Sequence, residues 1–257
     1  ALPIYLAIVD LSLHKNNIGL EGKLNVSLAG AEGNDAYLKS DVLYRRAEKD
    51  ITFTADVKDT NPARYAAFFP DYPLLVQQNL MISGAVKAAF DEKLRLQLAT
   101  LNLSMPEGNI TIPNVYEEPV PLKDIAFEAQ LNRPEKTLNI TRFDANVGGI
   151  ALNAKAEGKF KKGNITAPVE LKIADLPLDN VPPIFPKSHL NSGAGEWLTH
   201  KLSKGHFKDI VLTTDFHLIR DYEAGTREAK MTGTKVTFNA EDVTVRYSDT
   251  LMPVTNV

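Results

Sequence analysis

The sequence contains no cysteine, a single tryptophan and no long hydrophobic run. Without cysteine the chain has no disulfide bond, no thiolate nucleophile and no thiolate zinc site. Its longest apolar run, Ile4 to Val9, is far shorter than the ~20 residues that a membrane-spanning helix needs. The sequence therefore predicts no transmembrane helix in these residues.

The charge is also low, with a formal net value of -3 and both signs interspersed along the chain. No basic face is evident, which argues against nucleic acid or an anionic membrane surface as the main partner. At 44% hydrophobic and 24% charged residues, the 257-residue chain has the composition of a folded protein with one large or two ordinary domains.

Motifs of catalysis and metal binding are missing as well. Among the histidines only His200 and His206 lie near a carboxylate, Glu196, and Glu196 and His200 share a helical face without a third ligand at suitable spacing. A solvated pair is the favoured interpretation. The sequence has no Gly-x-Ser-x-Gly elbow, no glycine-rich phosphate loop and no His-Glu-x-x-His motif. We therefore expect no catalytic residue, no metal and no cofactor, and a protein that is not an enzyme.

What dominates instead is the alternation of apolar and polar residues with a period of two, the pattern of a half-buried β-strand. It is clear at Leu20–Leu28 and Ile51–Val57 and recurs at intervals to Tyr247. Roughly a dozen strands follow from it, separated by turns rich in glycine, proline and asparagine. The prediction is a mainly β fold built on an elongated, curved antiparallel sheet.

Two stretches interrupt this pattern, and each predicts a short helix. In the first, Asn61 is a suitable N-cap before Pro62, which gives a helix near residues 61–69. The second, Leu176 to Gly205, begins with several prolines that exclude a central strand and continues into a predicted helix near 193–203. Trp197, Leu198 and Leu202 fall on one face of that helix and are predicted to plug the end of the sheet.

The two interruptions resemble each other, which indicates an internal repeat. Both follow a strand that ends in aspartate, and both contain Phe-Pro, at Phe69-Pro70 and Phe185-Pro186. We interpret residues 1–50 as the end of a preceding repeat, 51–165 as a complete repeat and 166–257 as part of a second one. The expected whole is a solenoid-like array, of which this chain is a fragment.

Strands with one apolar face must cover that face with a second sheet, a closed barrel, helices or an apolar ligand. The pattern leaves a closed sandwich and an open trough as alternatives, and an open trough this large needs an occupant, for which an acyl chain is suited. The predicted lining of the trough is Phe53, Val57, Ile82, Val86, Phe90, Leu96, Leu98, Phe127, Leu152, Leu171, Leu212, Phe216 and Phe238.

The segment LPLDNVPPIFPKSHLNSGAGEWLTHKLSKGHFKDIVLTTDF, together with the later VTVRYSDTLMPVTNV, resembles the AsmA-like family of Gram-negative envelope proteins, the YhdP type in particular. The relatives of that family include TamB and, more distantly, the eukaryotic bridge-like lipid-transfer proteins. The chain differs in having Gly195-Glu196 where the family usually has arginine before the tryptophan. The resemblance carries no catalytic residue.

The resemblance implies a periplasmic β-groove, one section of a bridge that moves phospholipid between the inner and outer membranes. Its expected partners are phospholipid acyl chains, an inner-membrane anchor and further repeats of the same chain, and outer-membrane or envelope proteins. The alternative is a structural or assembly protein of the envelope, a scaffold or an outer-membrane assembly helper, with a closed β-sandwich core.

Overall fold

The computed structural model describes residues 6–28, 36–61, 63, 79–111, 116, 118–161, 164–184, 193–220, 227–246 and 254. Strands account for most of them. They are β1 (Leu6–Lys15), β2 (Gly19–Leu28), β3 (Ala36–Arg45), β4 (Asp50–Thr60), β5 (Asn79–Leu80), β6 (Ile82–Phe90), β7 (Leu96–Ile110), β8 (Val120–Asn132), β9 (Thr137–Val147), β10 (Ile150–Lys161), β11 (Asn164–Pro177), β12 (Leu202–Ser203), β13 (His206–Arg220), β14 (Arg227–Glu241) and β15 (Thr244–Val245).

All the long strands belong to one antiparallel sheet whose spatial order follows the chain, β1-β2-β3-β4-β6-β7-β8-β9-β10-β11-β13-β14. Strand β5 pairs with the far end of β7, and β12 and β15 form a separate pair. Within the described residues β1 and β14 do not pair with each other, so the sheet is open. The predicted mainly β fold, an elongated open sheet, is confirmed, and the long strands do not divide into the two sheets of a sandwich.

Irregular pairing near one end of the strands bends them. Asp59, Asp124 and Asp209 have positive φ angles of 47°, 52° and 51°. In each case the register shifts, because three residues on the aspartate's strand span the same distance as two on a neighbour. Such bulges increase the local twist and bend a strand, which is how a long sheet acquires curvature.

A hydrophobic cluster closes the end of the sheet near β11 and β13. A 3-10 turn (Leu178–Asn180) and helix α1 (Val181–Ile184) follow β11, and Leu178 and Val181 pack with Phe207 and Ile210. Val243 and Val245 complete the buried cluster. The sequence predicted one helix at this end of the sheet. In the structure the 3-10 turn, helix α1, Val243 and Val245 also contribute to its cover.

The predicted helix near 193–203 consists of helix α2 (Gly193–Glu196) and a π-helical turn (Trp197–Lys201). Leu198 and Leu202 pack against the hydrophobic cluster as expected. Trp197 is 44% exposed, so the indole is not fully enclosed, and its role as a plug stays a prediction. The π-helical turn alters the helical spacing that placed Trp197 on the same face as the leucines.

Most of the predicted helix near 61–69 lies outside the described residues, although the Asn61 side chain does accept a hydrogen bond from the Ala63 N–H at 2.9 Å. The predicted repeat boundaries fall inside β4 and β11, and the sheet runs through both without a break. The division into repeats stays a prediction. None of the helices in the described part of the chain has the length and apolar composition needed to cross a membrane.

Candidate functional site on the apolar face of the sheet

The register of the sheet sorts its side chains onto two faces of different character. Residues that pair directly across an antiparallel ladder point to the same side. One such row runs across the whole sheet and takes one residue from each long strand. It contains Val9, Val26, Leu38, Val57, Gly84, Leu103, Phe127, Phe143, Ala154, Leu171, Leu212 and Val236. This apolar row has no polar member, so one face is apolar from edge to edge.

The neighbouring row of paired residues lies on the other face and is mostly polar. It includes Asp56, Ala85, Asn102, Glu128 and Arg142. Ion pairs continue along this face, as between Arg142 and Asp144. Hydrogen bonds from Arg142 and Asn153 lower the pKa of Asp144 below its ordinary value, which keeps the carboxylate charged. This face therefore suits contact with water.

The predicted lining residues other than Leu98 lie on the apolar face. Members of the apolar row that the prediction missed include Leu38, Leu103 and Phe143, and the Phe127 and Phe143 rings meet edge to face at 6.3 Å. At the β14 edge Phe238 stacks at 4.3 Å on Phe207. Leu38 and Phe143 lie in strands where polar neighbours obscure the alternation, and only the register places them on this face.

Leu98 is on the polar face, contrary to the prediction. Phe90 pairs with Leu96, but Ala89 pairs with Leu98, so β7 contains one extra residue at this point. Leu98 consequently lies opposite Asn132 and is 47% exposed. A bulge of this kind exchanges the faces of all residues beyond it, which a simple alternation of leucines does not reveal.

The apolar face is covered incompletely. Most of its large side chains, such as Phe53, Phe127 and Leu152, are half-buried, and the fully buried positions near the middle are mainly small, such as Ala55 and Ala156. The chain has 17215 Å² of accessible surface. A compact monomer of 28.3 kDa has about 11,000 Å². Within the described part of the chain, the apolar face is thus only partly covered.

Within the long strands, exposure of apolar side chains is greatest in the two edge strands. Leu11 in β1 is 74% exposed and Met231 in β14 is 70% exposed, and both lie on the apolar face. Val9, Leu13, Val236 and Phe238 are exposed as well. The backbone on the outer side of both strands has no partner strand among the described residues. The edges therefore offer both an unpaired ladder and apolar side chains.

Polar side chains in the described residues make mainly local contacts. Thr214, a buried polar residue of the apolar face, donates to the Thr232 carbonyl at 3.1 Å and contacts the Thr234 hydroxyl at 2.9 Å. His200 Nδ1 lies 2.7 Å from the Thr199 hydroxyl. The described residues contain no group of three or more histidine, aspartate or glutamate side chains placed to hold a metal ion.

Compared with known proteins, the chain matches no family model, no curated protein and no solved structure. A function must therefore be argued from the geometry of this sheet and from the residues themselves.

Proposed function

We propose that the apolar face binds the acyl chains of phospholipids and that the protein is one section of a periplasmic bridge along which phospholipid moves between the inner and outer membranes. The observation that carries this proposal is the apolar row, which crosses all twelve strands of the open sheet without a polar residue. An accessible apolar surface of this extent needs a ligand or a partner to cover it.

The energetics favour a lipid as the ligand. Each buried methylene contributes about 0.8 kcal/mol, so a sixteen-carbon chain laid on this surface gains on the order of 12 kcal/mol when fully covered. This gain requires no specific side-chain chemistry. A face of Val, Leu, Ile, Phe and Ala side chains is sufficient to offset the loss of lipid contacts in a membrane.

The dimensions of the sheet fit transport better than storage of a single molecule. Twelve strands spaced ~4.8 Å apart span roughly 50 Å. One leaflet of a bilayer has a hydrocarbon thickness of about 15 Å, half of the ~30 Å core. The apolar face can therefore hold several lipids side by side, and it offers them a continuous path across the strands.

The periplasmic location, the inner-membrane anchor and the envelope partners in this proposal rest on the resemblance of residues 176–216 to AsmA-like proteins. The edges of the sheet support a chain of such modules. Among the described residues, β1 and β14 each have an unpaired outer side and apolar side chains on the same face, so a neighbouring strand would extend both the sheet and its apolar face.

The same edges favour a second candidate, an envelope scaffold that binds partner proteins by adding strands at β1 or β14. In that case the apolar face would be covered by protein. The two candidates predict different effects on lipid binding when a residue in the middle of the apolar face, far from both edge strands, is substituted.

A matched pair of substitutions in β7 tests the proposal. Leu103→Arg introduces a charge into the apolar row, whereas Asn102→Arg places the same side chain on the polar face beside Glu128. Delipidated protein is titrated with a fluorescent fatty acid, and circular dichroism reports the fold. We expect both variants to remain folded, and Leu103→Arg to bind the probe at least tenfold more weakly than Asn102→Arg and the unchanged chain.

Failure of the unchanged chain to take up the probe would contradict lipid binding and favour the scaffold. If Leu103→Arg unfolds, Leu103→Gln serves as a milder variant with the same expected loss of probe binding. Equal binding by the two arginine variants would show that the acyl chain does not lie on this face.

A further inference from the structure

Both edge strands of the sheet are long and exposed. β1 has 10 residues and β14 has 15, and neither contains proline. Every residue from Val9 to Lys15 and from Glu228 to Glu241 is exposed, whereas most residues of the inner strands are half-buried or buried. Among the described residues no strand pairs with the outer side of either edge. A long edge of this kind, with its row of unpaired backbone N–H and C=O groups, is a template for a further strand.

The directions of the strands make the two edges fit each other. Each of the twelve long strands is antiparallel to its neighbours, so β14 runs opposite to β1. When a second copy is placed beside β14 in the same orientation, its β1 is therefore antiparallel to β14. The apolar faces of the two copies then lie on the same side of the joined sheet.

The side chains of the two edges favour one register. Val9 and Val236 are the two ends of the apolar row, so the row continues directly into the next copy when Val236 lies opposite Val9. In an antiparallel pair this register also places Lys235 opposite Asp10 on the polar face. Neither charge has an ion-pair partner among the described residues. Opposite charges in directly opposed positions stabilise a pair of strands, as do apolar side chains.

Pairing between like edges is less favourable. Two β14 strands would bring Lys230 and Lys235 of both copies to one interface, and the carboxylates of this strand lie only near its ends, at Glu228 and Glu241. Lysine on an edge strand is a common means of preventing such self-pairing. Two paired β1 strands would leave β14, the longer edge, exposed.

We infer that β14 of one copy pairs with β1 of a second copy, with Val236 opposite Val9 and Lys235 opposite Asp10. Each copy contributes a different edge, so the contact is heterologous and copies join head to tail into an open row. The apolar face continues across each junction. The inference names the neighbour of the two edges and does not depend on lipid binding.

Charge reversal in the full chain tests the ion pair. Analytical ultracentrifugation at low salt measures association as a function of protein concentration. Asp10→Lys should weaken association about fivefold, because like charges then lie opposite each other, and adding Lys235→Asp to the same chain should restore it. Asp56→Lys, an equal change of net charge at an exposed position of the inner strand β4, should leave association unchanged.

An unchanged chain that stays monomeric at every concentration would overturn the inference. Absence of rescue by Lys235→Asp, or equal weakening by Asp56→Lys, would overturn the pairing of Asp10 with Lys235.

Introduced cysteines test the register, since the sequence has no cysteine of its own. Under mild oxidation a mixture of Val9→Cys and Val236→Cys chains should form a disulfide-linked dimer, and neither chain alone should do so efficiently. Efficient linkage of Val9→Cys to itself would overturn the head-to-tail contact in favour of a two-fold dimer. More efficient linkage of Val9→Cys to Phe238→Cys would overturn the register. None of these measurements involves lipid, so their failure leaves the proposed lipid binding unaffected.

Discussion

Leu178 is the position where loss of a side chain is expected to destabilise the protein most. Only 2% of this residue is exposed, and it packs with Val181, Phe207 and Val243 between the end of the sheet and the turns that cover it. Leu178→Ala removes the buried side chain and leaves a cavity, for which costs of 2–5 kcal/mol are typical. Because strands and helix enclose the site, collapse is restricted, and we expect about 4 kcal/mol.

Trp197 gives the contrasting case. A fully buried tryptophan costs about 3–5 kcal/mol when replaced by alanine. With 44% of this residue exposed, roughly half of that burial is absent, so Trp197→Ala is expected to cost about 2 kcal/mol or less. Leu94, which is exposed in the β6–β7 connection, provides a control, and Leu94→Ala should change stability by less than about 0.5 kcal/mol.

Urea unfolding followed by circular dichroism gives the order of the three variants, and hydrogen exchange locates the effect. Leu178→Ala should increase exchange in β11 and β13 and leave β2 and β3 unchanged. If Trp197→Ala destabilises the protein as much as Leu178→Ala, the indole belongs to the core and this account of the end of the sheet is refuted.

Two further predictions concern single backbone and charge positions. A Cβ at Gly158 would lie 2.4 Å from the Leu138 carbonyl oxygen, so Gly158→Ala should force β9 and β10 apart. The free energy of unfolding should fall by about 1–3 kcal/mol, measured by thermal unfolding. An unchanged unfolding midpoint would contradict this close approach. Hydrogen bonds from the Arg95 side chain lower the pKa of Asp91 to about 2, so its stabilising effect is present above its ordinary pKa and is lost as pH falls through about 2. NMR titration should show the Asp91 midpoint rising in Arg95→Gln, and an unchanged midpoint would mean that this hydrogen bond does not form in solution.

The alternation of apolar residues was enough to predict the class of fold and most of the apolar face. In an antiparallel strand the side chain's face is fixed by odd or even position, so a period of two carries this information directly. Phe53 and Val57 illustrate it, since no bulge separates them. Leu98 shows the limit, because an extra residue in β7 changes the face and leaves no mark in the pattern of leucines.

Charge pairs between strands could not be predicted from the sequence for another reason. Glu128 and Arg142 are separated along the chain, and only the pairing of β8 with β9 places them opposite each other. Regular helical spacing likewise does not anticipate the π-helical turn that begins at Trp197.

Native mass spectrometry of the chain purified from a bacterial host tests lipid binding most directly, with Leu103→Arg and Asn102→Arg measured beside it. The account predicts phospholipid adducts with mixed acyl chains on the unchanged chain and on Asn102→Arg, and strongly reduced adducts on folded Leu103→Arg. Detergent-free protein that carries no lipid, or equal adducts on all three chains, would contradict the claim that the apolar face holds acyl chains.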